Sequence, residues 1–331
     1  MAKYVLKRIL ILIPIMIAVS FIVFSILYFT PADPARIMLG ASAPQDALDK
    51  MRAELGLDKP FLVQYGNYMW GVLHGDFGVS YRSRQSVFLE IFARFPVTLK
   101  LAGLSIVTVS VLGIFFGVVS AVRQYSVLDR ILTVFSMLAA SIPSFWLGLM
   151  MMLFFSLKLG ILPSYGVDSG WKSYVMPVIA LSLPSLAEVI RMTRSAMLDT
   201  IHQDYIRTAR AKGRLEGGVI FGHALKNALM PVITVIGSNF GSLLGGAVVI
   251  ETVFSLPGLG NLIVTSIRTK DVPQVMAGTL FIAFLFCVIL LIVDVAYTVI
   301  DPRVRTSYIG TGKRAPGRRA SGKPDSEVKA S

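Results

Sequence analysis

Cysteine and histidine are scarce in this chain of 331 residues. The only cysteine is Cys287, so the chain cannot form an intramolecular disulfide, and cysteine gives no indication of a redox role. The three histidines, His74, His202 and His223, do not have the spacing of a metal site. We therefore predict that the chain itself binds no metal ion.

Motifs for nucleotide binding and for hydrolysis are also absent. The nearest approach to a Walker A loop is Gly312-Lys313, but Arg314 follows where Ser or Thr is required. The sequence contains neither H-E-x-x-H nor G-x-S-x-G. We predict that the chain is not an enzyme, has no catalytic residues and binds no cofactor. If it moves a solute uphill, the energy comes from a partner or from an ion gradient.

Charged residues are the third scarce class. They make up only 15% of the chain, whereas 54% of the residues are hydrophobic, which is rare in soluble globular proteins. A helix needs about 20 apolar residues to cross a bilayer. Six segments are long enough, at residues 9–29, 99–121, 131–157, 174–192, 229–252 and 277–300. The predicted fold class is an all-α membrane protein with six transmembrane helices, of which Pro143 and Pro184 kink the third and fourth.

The net charge of +13 follows this topology. With the N-terminus in the cytoplasm, most of the 32 basic residues fall on the cytoplasmic side, within residues 3–8, 123–130, 191–226 and 303–329. Short cytoplasmic loops carry such an excess of Lys and Arg. We predict a multi-pass protein of the cytoplasmic (inner) cell membrane, with both termini in the cytoplasm. Membrane lipid is then an expected partner, and nucleic acid is not.

Four regions follow from the same pattern. They are a first transmembrane helix at 1–30, an extracytoplasmic loop at 31–95, a transmembrane core at 96–305 and a disordered basic tail at 306–331. In the loop, the apolar spacing over residues 47–55 indicates one helix, and Pro60 is placed to begin another. The loop is either a structured cap or a packed segment that only covers the helix ends.

An ion-driven carrier needs ionisable residues deep in its helices. The spans contain few of them: Glu188, Arg191, Glu251 and Asp294. Glu188 and Arg191 lie one helical turn apart, so we predict that they form a structural ion pair. No central acidic pair marks a proton relay, and an ion-coupled secondary carrier is kept as an alternative from another functional class.

Small residues recur along the fifth span at intervals of four. This spacing lets helix backbones approach closely, and it also leaves room for a solute path beside the helix. Six residues are candidates for either helix packing or pore lining, namely Gly237, Ser238, Asn239, Gly241, Ser242 and Gly245. The sequence leaves both roles open.

A polar, basic insert at residues 198–228 separates the fourth and fifth spans. Residues 198–213 are predicted to form one helix with Tyr205 and Ala209 on its apolar face. Gly213 is placed to end this helix in a left-handed conformation. A second helix is predicted to run from about Val219 into the fifth span. Such an element either docks into a groove of another protein or lies on the lipid headgroups.

The insert resembles the cytoplasmic coupling loop of binding-protein-dependent ABC importer permeases, in the form typical of the dipeptide, oligopeptide and nickel branch. Six stretches carry the resemblance: Tyr205-Ile-Arg-Thr-Ala-Arg-Ala-Lys-Gly213, His223-Ala-Leu-Lys-Asn-Ala-Leu-Met-Pro231, Leu55-Gly-Leu-Asp-Lys-Pro60, Gly75-Asp-Phe-Gly78, Glu251-Thr-Val-Phe-Ser-Leu-Pro-Gly-Leu-Gly260 and Asp301-Pro-Arg303. The resemblance covers about residues 1–305. The general family pattern begins Glu-Ala-Ala where this chain has Arg207-Thr208-Ala209, so the role of that glutamate is not carried over.

The resemblance implies a type I ABC importer permease fold, most like the first (B-type) permease subunit because of the long loop after the first span. The implied partners are a second homologous permease, two ABC ATPase subunits that bind ATP and Mg²⁺, and an extracytoplasmic peptide-binding protein. The implied ATPase-coupling residues are Tyr205, Arg207, Ala209, Arg210, Ala211, Lys212 and Gly213. The implied function is ATP-driven uptake of dipeptides or oligopeptides, with this chain forming half of the path. A nickel or nickel-chelate importer is the alternative.

Overall fold

The computed structural model describes residues 2–30, 33–40 and 42–300, without the side chains of residues 2–9, 294 and 296–300. The helices are α1 Ala2–Phe29, α2 Pro34–Leu39, α3 Gln45–Glu54, α4 Phe61–Leu73, α5 Val87–Val122, α6 Val127–Ser141, α7 Ser144–Met151, α8 Lys172–Ile201, α9 Asp204–Ala211, α10 Glu216–Val219, α11 Leu225–Val253, α12 Leu259–Arg268 and α13 Val272–Ile300. Two π-helical segments, Met152–Lys158 and Ile220–Ala224, continue α7 and α10. The predicted tail at 306–331 and the Asp294 side chain lie outside the described residues.

Five helical runs in the described part of the chain, built on α1, α5, α8, α11 and α13, are long and apolar enough to cross a membrane. The bent pair of α6 and α7 makes a sixth span when it is counted as one unit. The predicted kink at Pro143 is confirmed, but it is a break of 100° between two helices within the single span predicted at 131–157. The break occurs because proline restricts the preceding residue, and Ile142 is extended at φ −84° and ψ 121°.

The bent pair connects opposite faces of the bundle. At its start, Asp129 contacts Arg194 near the end of α8. Beyond its end, the Gly166 amide donates to the carbonyl of Phe254, which follows α11, at 3.1 Å. Residues 202–224 lie on the first face, which we name the loop face. Residues 33–40, 42–86 and 254–271 lie on the second, which we name the cap face. With the bent pair counted as one span, the chain crosses the bundle six times. Because this number is even, the start of α1 and the end of α13 lie together on the loop face.

Helices α5 and α8 pack closely against each other along much of their length. A Cβ atom at Gly113 would lie 2.6 Å from Cγ1 of Val189, and one at Gly117 would lie 2.9 Å from the backbone oxygen of Ile190. Two glycines four residues apart permit this approach, as in other membrane helix pairs. α8 continues through Pro184 as an unbroken α-helix. It is also the most buried of the spans, although its sequence is the least apolar.

The loop after α1 folds into a cap, so its predicted structured form is confirmed. Arg52 of α3 makes an ion pair of 2.5 Å with Asp33 before α2, and Leu48 of α3 is buried. Tyr65 of α4 shares a hydrogen bond of 2.8 Å with Ser20 of α1. These contacts hold the cap helices to one another and to the first span.

A second attachment joins the cap to the bundle. The Asp271 carboxylate, just before α13, accepts hydrogen bonds from the Ser80 hydroxyl at 2.5 Å and from the Tyr81 amide at 3.1 Å. Asp271 is almost fully buried. A buried carboxylate with several donors is a strong link in the fold, so the base of the cap is fixed to the end of the last span.

Candidate functional site

The insert between α8 and α11 is a helix–turn–helix on the loop face. The sequence predicted one helix over residues 198–213, but α8 ends at Ile201 and α9 begins at Asp204. Gln203 between them is extended, with φ −73° and ψ 150°. Asp204 lies in the first turn of α9. An acidic residue there stabilises the helix, because the N-terminal end of the helix dipole is positive. The break changes which side chains of the insert point inwards.

Ile206 anchors α9 to the bundle. The sequence placed Tyr205 and Ala209 on the apolar face of a single helix over residues 198–213. In the structure the break at Gln203 shifts the helical register, and Ile206 is the buried side chain of α9. Ile206 is fully buried, whereas Tyr205 is 45% exposed. Ile206 belongs to a buried apolar cluster that also includes Val118 and Ala121 of α5, Met197 of α8, Val219 of α10 and Ala224 of the following π-helical segment. Through this side chain α9 joins the apolar core at the loop-face end of the bundle.

The opposite side of α9 is exposed and basic. Most of the predicted coupling residues lie there, namely Tyr205, Arg207, Arg210, Ala211 and Lys212, and Ala209 is half-buried. The Tyr205 hydroxyl accepts a hydrogen bond of 3.2 Å from Nδ2 of Asn227 at the start of α11. The Tyr205 ring is thus held in place while part of its surface stays accessible to a partner.

The turn after α9 has a fixed geometry. Gly213 has φ +77°, the left-handed conformation that the sequence predicted. The guanidinium of Arg210 makes two hydrogen bonds with the Glu216 carboxylate, at 2.6 and 3.1 Å, across this turn. Hydrogen bonding to Glu216 raises the pKa of Arg210 above its ordinary value. Arg210 therefore serves the turn itself, and Tyr205, Arg207 and Lys212 are left as the outward-facing candidates.

The sequence did not predict the ion pair between Asp129 and Arg194, which lies beside the insert. The Asp129 carboxylate accepts hydrogen bonds from Nε and Nη2 of Arg194 at 2.8 and 3.0 Å. It also accepts from the Ser120 hydroxyl at 2.5 Å and from the Tyr125 amide at 3.0 Å. The network joins α5, α6 and α8 close to the α9 anchor. One signal was readable: Ser126 caps α6 by accepting from the Asp129 amide, and serine followed three residues later by an acid marks a helix start.

The predicted ion pair between Glu188 and Arg191 is not formed. Nη1 of Arg191 donates to the backbone oxygen of Ser136 at 3.2 Å, and no ion pair within the described residues includes Glu188. The spacing along α8 permitted the pair, but Arg191 points towards α6. The arginine that makes an ion pair on this helix is Arg194, one turn further on.

Five of the six candidate residues of α11 divide into two groups. Gly237 and Gly241 are buried beneath Val293 and Phe286 of α13, so they serve helix packing. Ser238, Ser242 and Gly245 are exposed, and a Cβ atom at Gly245 would meet no atom within 4 Å. Thr234 extends this exposed row by one turn. A hydroxyl-bearing row on a membrane span faces another protein or water in preference to lipid.

Asn239 belongs to neither group. Its side chain is buried, and its Oδ1 accepts a long hydrogen bond of 3.5 Å from the Ser185 hydroxyl of α8. It lies next to Ser238 in the chain, but consecutive helical residues point in different directions. Asn239 therefore contacts the helix α8 and does not lie in the exposed row.

Comparisons with known proteins agree over most of the chain. Residues 113–306 match the family described as the binding-protein-dependent transport system inner membrane component, and residues 1–102 match its N-terminal membrane component. A Brucella abortus protein provisionally named a peptide transport system permease protein is 43% identical over 312 residues. A glutathione transport system permease protein of Salmonella choleraesuis is 42% identical over 305 residues. Each alignment covers 92% of this chain and 99% of the relative.

A solved structure shares the fold. The inward-facing MetNI methionine ABC transporter contains a chain that aligns with a TM-score of 0.53 at 18% identity, over 65% of this chain and 97% of that one. At this level of identity the likeness concerns the backbone arrangement alone. The type I arrangement of spans predicted from the sequence is confirmed.

Proposed function

We propose that this chain, which belongs to the family of binding-protein-dependent transport system inner membrane components, forms half of the path of an ABC importer for dipeptides or oligopeptides. The peptide cargo is supported by the names of relatives that align over 99% of their own length. Glutathione is itself a tripeptide, so both names fall in one chemical class. No feature of the described residues favours nickel as the cargo.

The observation that carries the proposal is the α9 insert. A short basic helix is exposed on the loop face, and a single buried side chain, Ile206, connects it to helices that cross the membrane. The exposed face suits a groove on a separate ATPase, and the anchor suits the transfer of movement. In this proposal Tyr205, Arg207 and Lys212 contact the ATPase, Ala209 and Ala211 allow close approach, and Arg210 and Gly213 hold the turn.

An ABC importer of this kind also requires the remaining partners. Two ATPase subunits hold ATP and Mg²⁺, a second homologous permease completes the path, and an extracytoplasmic protein delivers the peptide. The loop face lies in the cytoplasm because its short loops and its insert are rich in Lys and Arg. ATP-driven closure of the ATPases would move α9, and the tightly packed α5 and α8 would tilt with it. This movement would switch access from the cap face to the loop face.

The exposed row of α11 is proposed to line the path. Ser238 and Ser242 each donate to the backbone oxygen four residues earlier, so each hydroxyl oxygen can still accept a hydrogen bond. Thr234, Ser238, Ser242 and Gly245 carry no charge and little bulk. Such a surface can hydrogen-bond to a peptide backbone without selecting side chains, and selection is then left to the delivery protein.

Blocking this row tests the proposal. In vesicles containing the assembled importer, we expect ATP-dependent uptake of labelled dipeptide or oligopeptide to persist when the proton gradient is collapsed. Ser242→Trp is expected to reduce this uptake to the background of empty vesicles, because the indole fills the path. Ser242→Ala, the matched control, should transport at nearly the normal rate. Uptake of radioactive nickel but not of peptide, or normal uptake by Ser242→Trp, would contradict the proposal.

A further inference from the structure

An apolar groove of about 400 Å³ lies on the loop face between α5, α6 and the π-helical segment that follows α10. Its walls include Phe115, Val119 and Val122 of α5, Leu128 of α6, and Ile220 and Phe221 of the π-helical segment. Phe115 is 59% exposed and Phe221 is 65% exposed. The described residues therefore leave a hydrocarbon-lined groove uncovered beside the α9 insert.

The groove lies at the loop-face end of a helix that is long enough to cross the membrane. Val122 is the last residue of the spanning helix α5, and Arg123 follows it at the rim of the groove. The Arg123 side chain is exposed and has no ion-pair or hydrogen-bond partner among the described side chains. A basic side chain at this level attracts anionic headgroups. The apolar walls below it suit an acyl chain, whose burial drives lipid association.

The lining of the groove favours a lipid. Its walls are hydrocarbon except for Arg123, which matches an acyl chain that carries an anionic headgroup. An extended hydrocarbon chain is thin and can lie along the groove.

We infer that this groove binds an anionic phospholipid, with the phosphate on Arg123 and one acyl chain against Val119 and Phe221. Bound there, the lipid joins the end of α5 to the segment that follows the turn at Gly213. It would stabilise the insert in the position described above. The inference concerns lipid binding alone and does not depend on the cargo.

Lipid binding can be measured on the assembled importer in nanodiscs of phosphatidylcholine, with and without phosphatidylglycerol. A phosphatidylglycerol analogue with a photoreactive acyl chain should label peptides that contain Val119 or Phe221. Arg123→Gln should lower the affinity for phosphatidylglycerol about tenfold, the effect of losing one hydrogen bond to a charged group. Arg130→Gln, on the same face but outside the groove, should leave the affinity unchanged.

A second pair of variants tests the groove independently of charge. Val119→Trp should fill the groove and abolish labelling, whereas Val107→Trp, an exposed position three turns away on α5, should not. Soluble glycerol 3-phosphate, which has the phosphate without the chains, should fail to displace the lipid. Equal labelling in wild type, Arg123→Gln and Val119→Trp would overturn the inference. Displacement by glycerol 3-phosphate, or crosslinking of the groove to another subunit in place of lipid, would also overturn it.

Discussion

Asp129→Asn is expected to lower the free energy of unfolding by about 3 kcal/mol, because it leaves the Arg194 guanidinium without its counter-charge in a mostly buried place. Asp129 is only 4% exposed, and both guanidinium hydrogen bonds of Arg194 end on it. The effect should appear as a large decrease in the midpoint of thermal unfolding, measured on the purified protein in mild detergent.

An exposed ion pair provides the control for this prediction. Arg52 also bonds to Asp49 at 2.7 Å, but the Asp49 side chain is 60% exposed. Asp49→Asn should therefore change stability by less than about 1 kcal/mol. The double variant Asp129→Asn with Arg194→Met should recover part of the loss, since no unpaired charge is left. Equal unfolding midpoints for Asp129→Asn and Asp49→Asn would show that the buried network is not a strong link.

Gly213→Pro is expected to abolish peptide uptake while the protein still inserts into the membrane. Proline requires φ near −65°, whereas Gly213 has φ +77°. The turn would open and move α9 away from its anchor. Insertion should be normal, because the turn is exposed and a Cβ atom at this position would meet no atom within 4 Å. Uptake of labelled peptide and the amount of protein in the membrane are the two measurements.

Gly213→Asn separates the backbone requirement from the loss of glycine itself. Asparagine tolerates positive φ better than other non-glycine residues, so this variant should keep most of the uptake. Transport by Gly213→Pro at the wild-type rate would show that the turn has no part in coupling. Loss of uptake in both variants, with normal insertion, would mean that a side chain at this position obstructs a partner.

The sequence was a good guide to the number of spans and a poor one to their burial. Long apolar runs located all six spans, since length and hydropathy are local properties. The span predicted at 174–192 contains two prolines and several polar residues. It is part of α8, the most buried of the five single-run spans, and Ser182 donates a hydrogen bond to the Ser105 carbonyl of α5. Hydropathy measures suitability for lipid, which a central helix does not need.

The details of the insert depended on one backbone break. Helical spacing placed Tyr205 on the apolar face of one continuous helix, but the extended Gln203 restarts the helix and Ile206 is buried. No property of the local sequence fixes such a break by itself, because the burial of Ile206 in the cluster between the helices contributes to it. Gly213 was predictable because its conformational role is local.

A single sequence does not predict which residues of distant helices come into contact. Asp129 and Arg194 are 65 positions apart, and only the folded bundle brings them together. The repeat of Gly113 and Gly117 could have been noticed as a close-packing signal, although the sequence does not say that Val189 and Thr193 lie opposite. The fifth span showed the same kind of repeat, and there the structure separates packing glycines from exposed serines.

The most direct test of the account is a pull-down of the tagged chain in mild detergent, with mass spectrometry of the proteins that accompany it. The wild type should bring down a second permease and two ATPase subunits. Tyr205→Asp should lose the ATPase bound to this chain, because it places a negative charge on the exposed face of α9. Tyr205→Phe, which loses only the hydrogen bond with Asn227, should retain it. If the wild type is recovered alone, or if Tyr205→Asp retains both ATPases, then α9 is not the contact through which ATP hydrolysis drives transport.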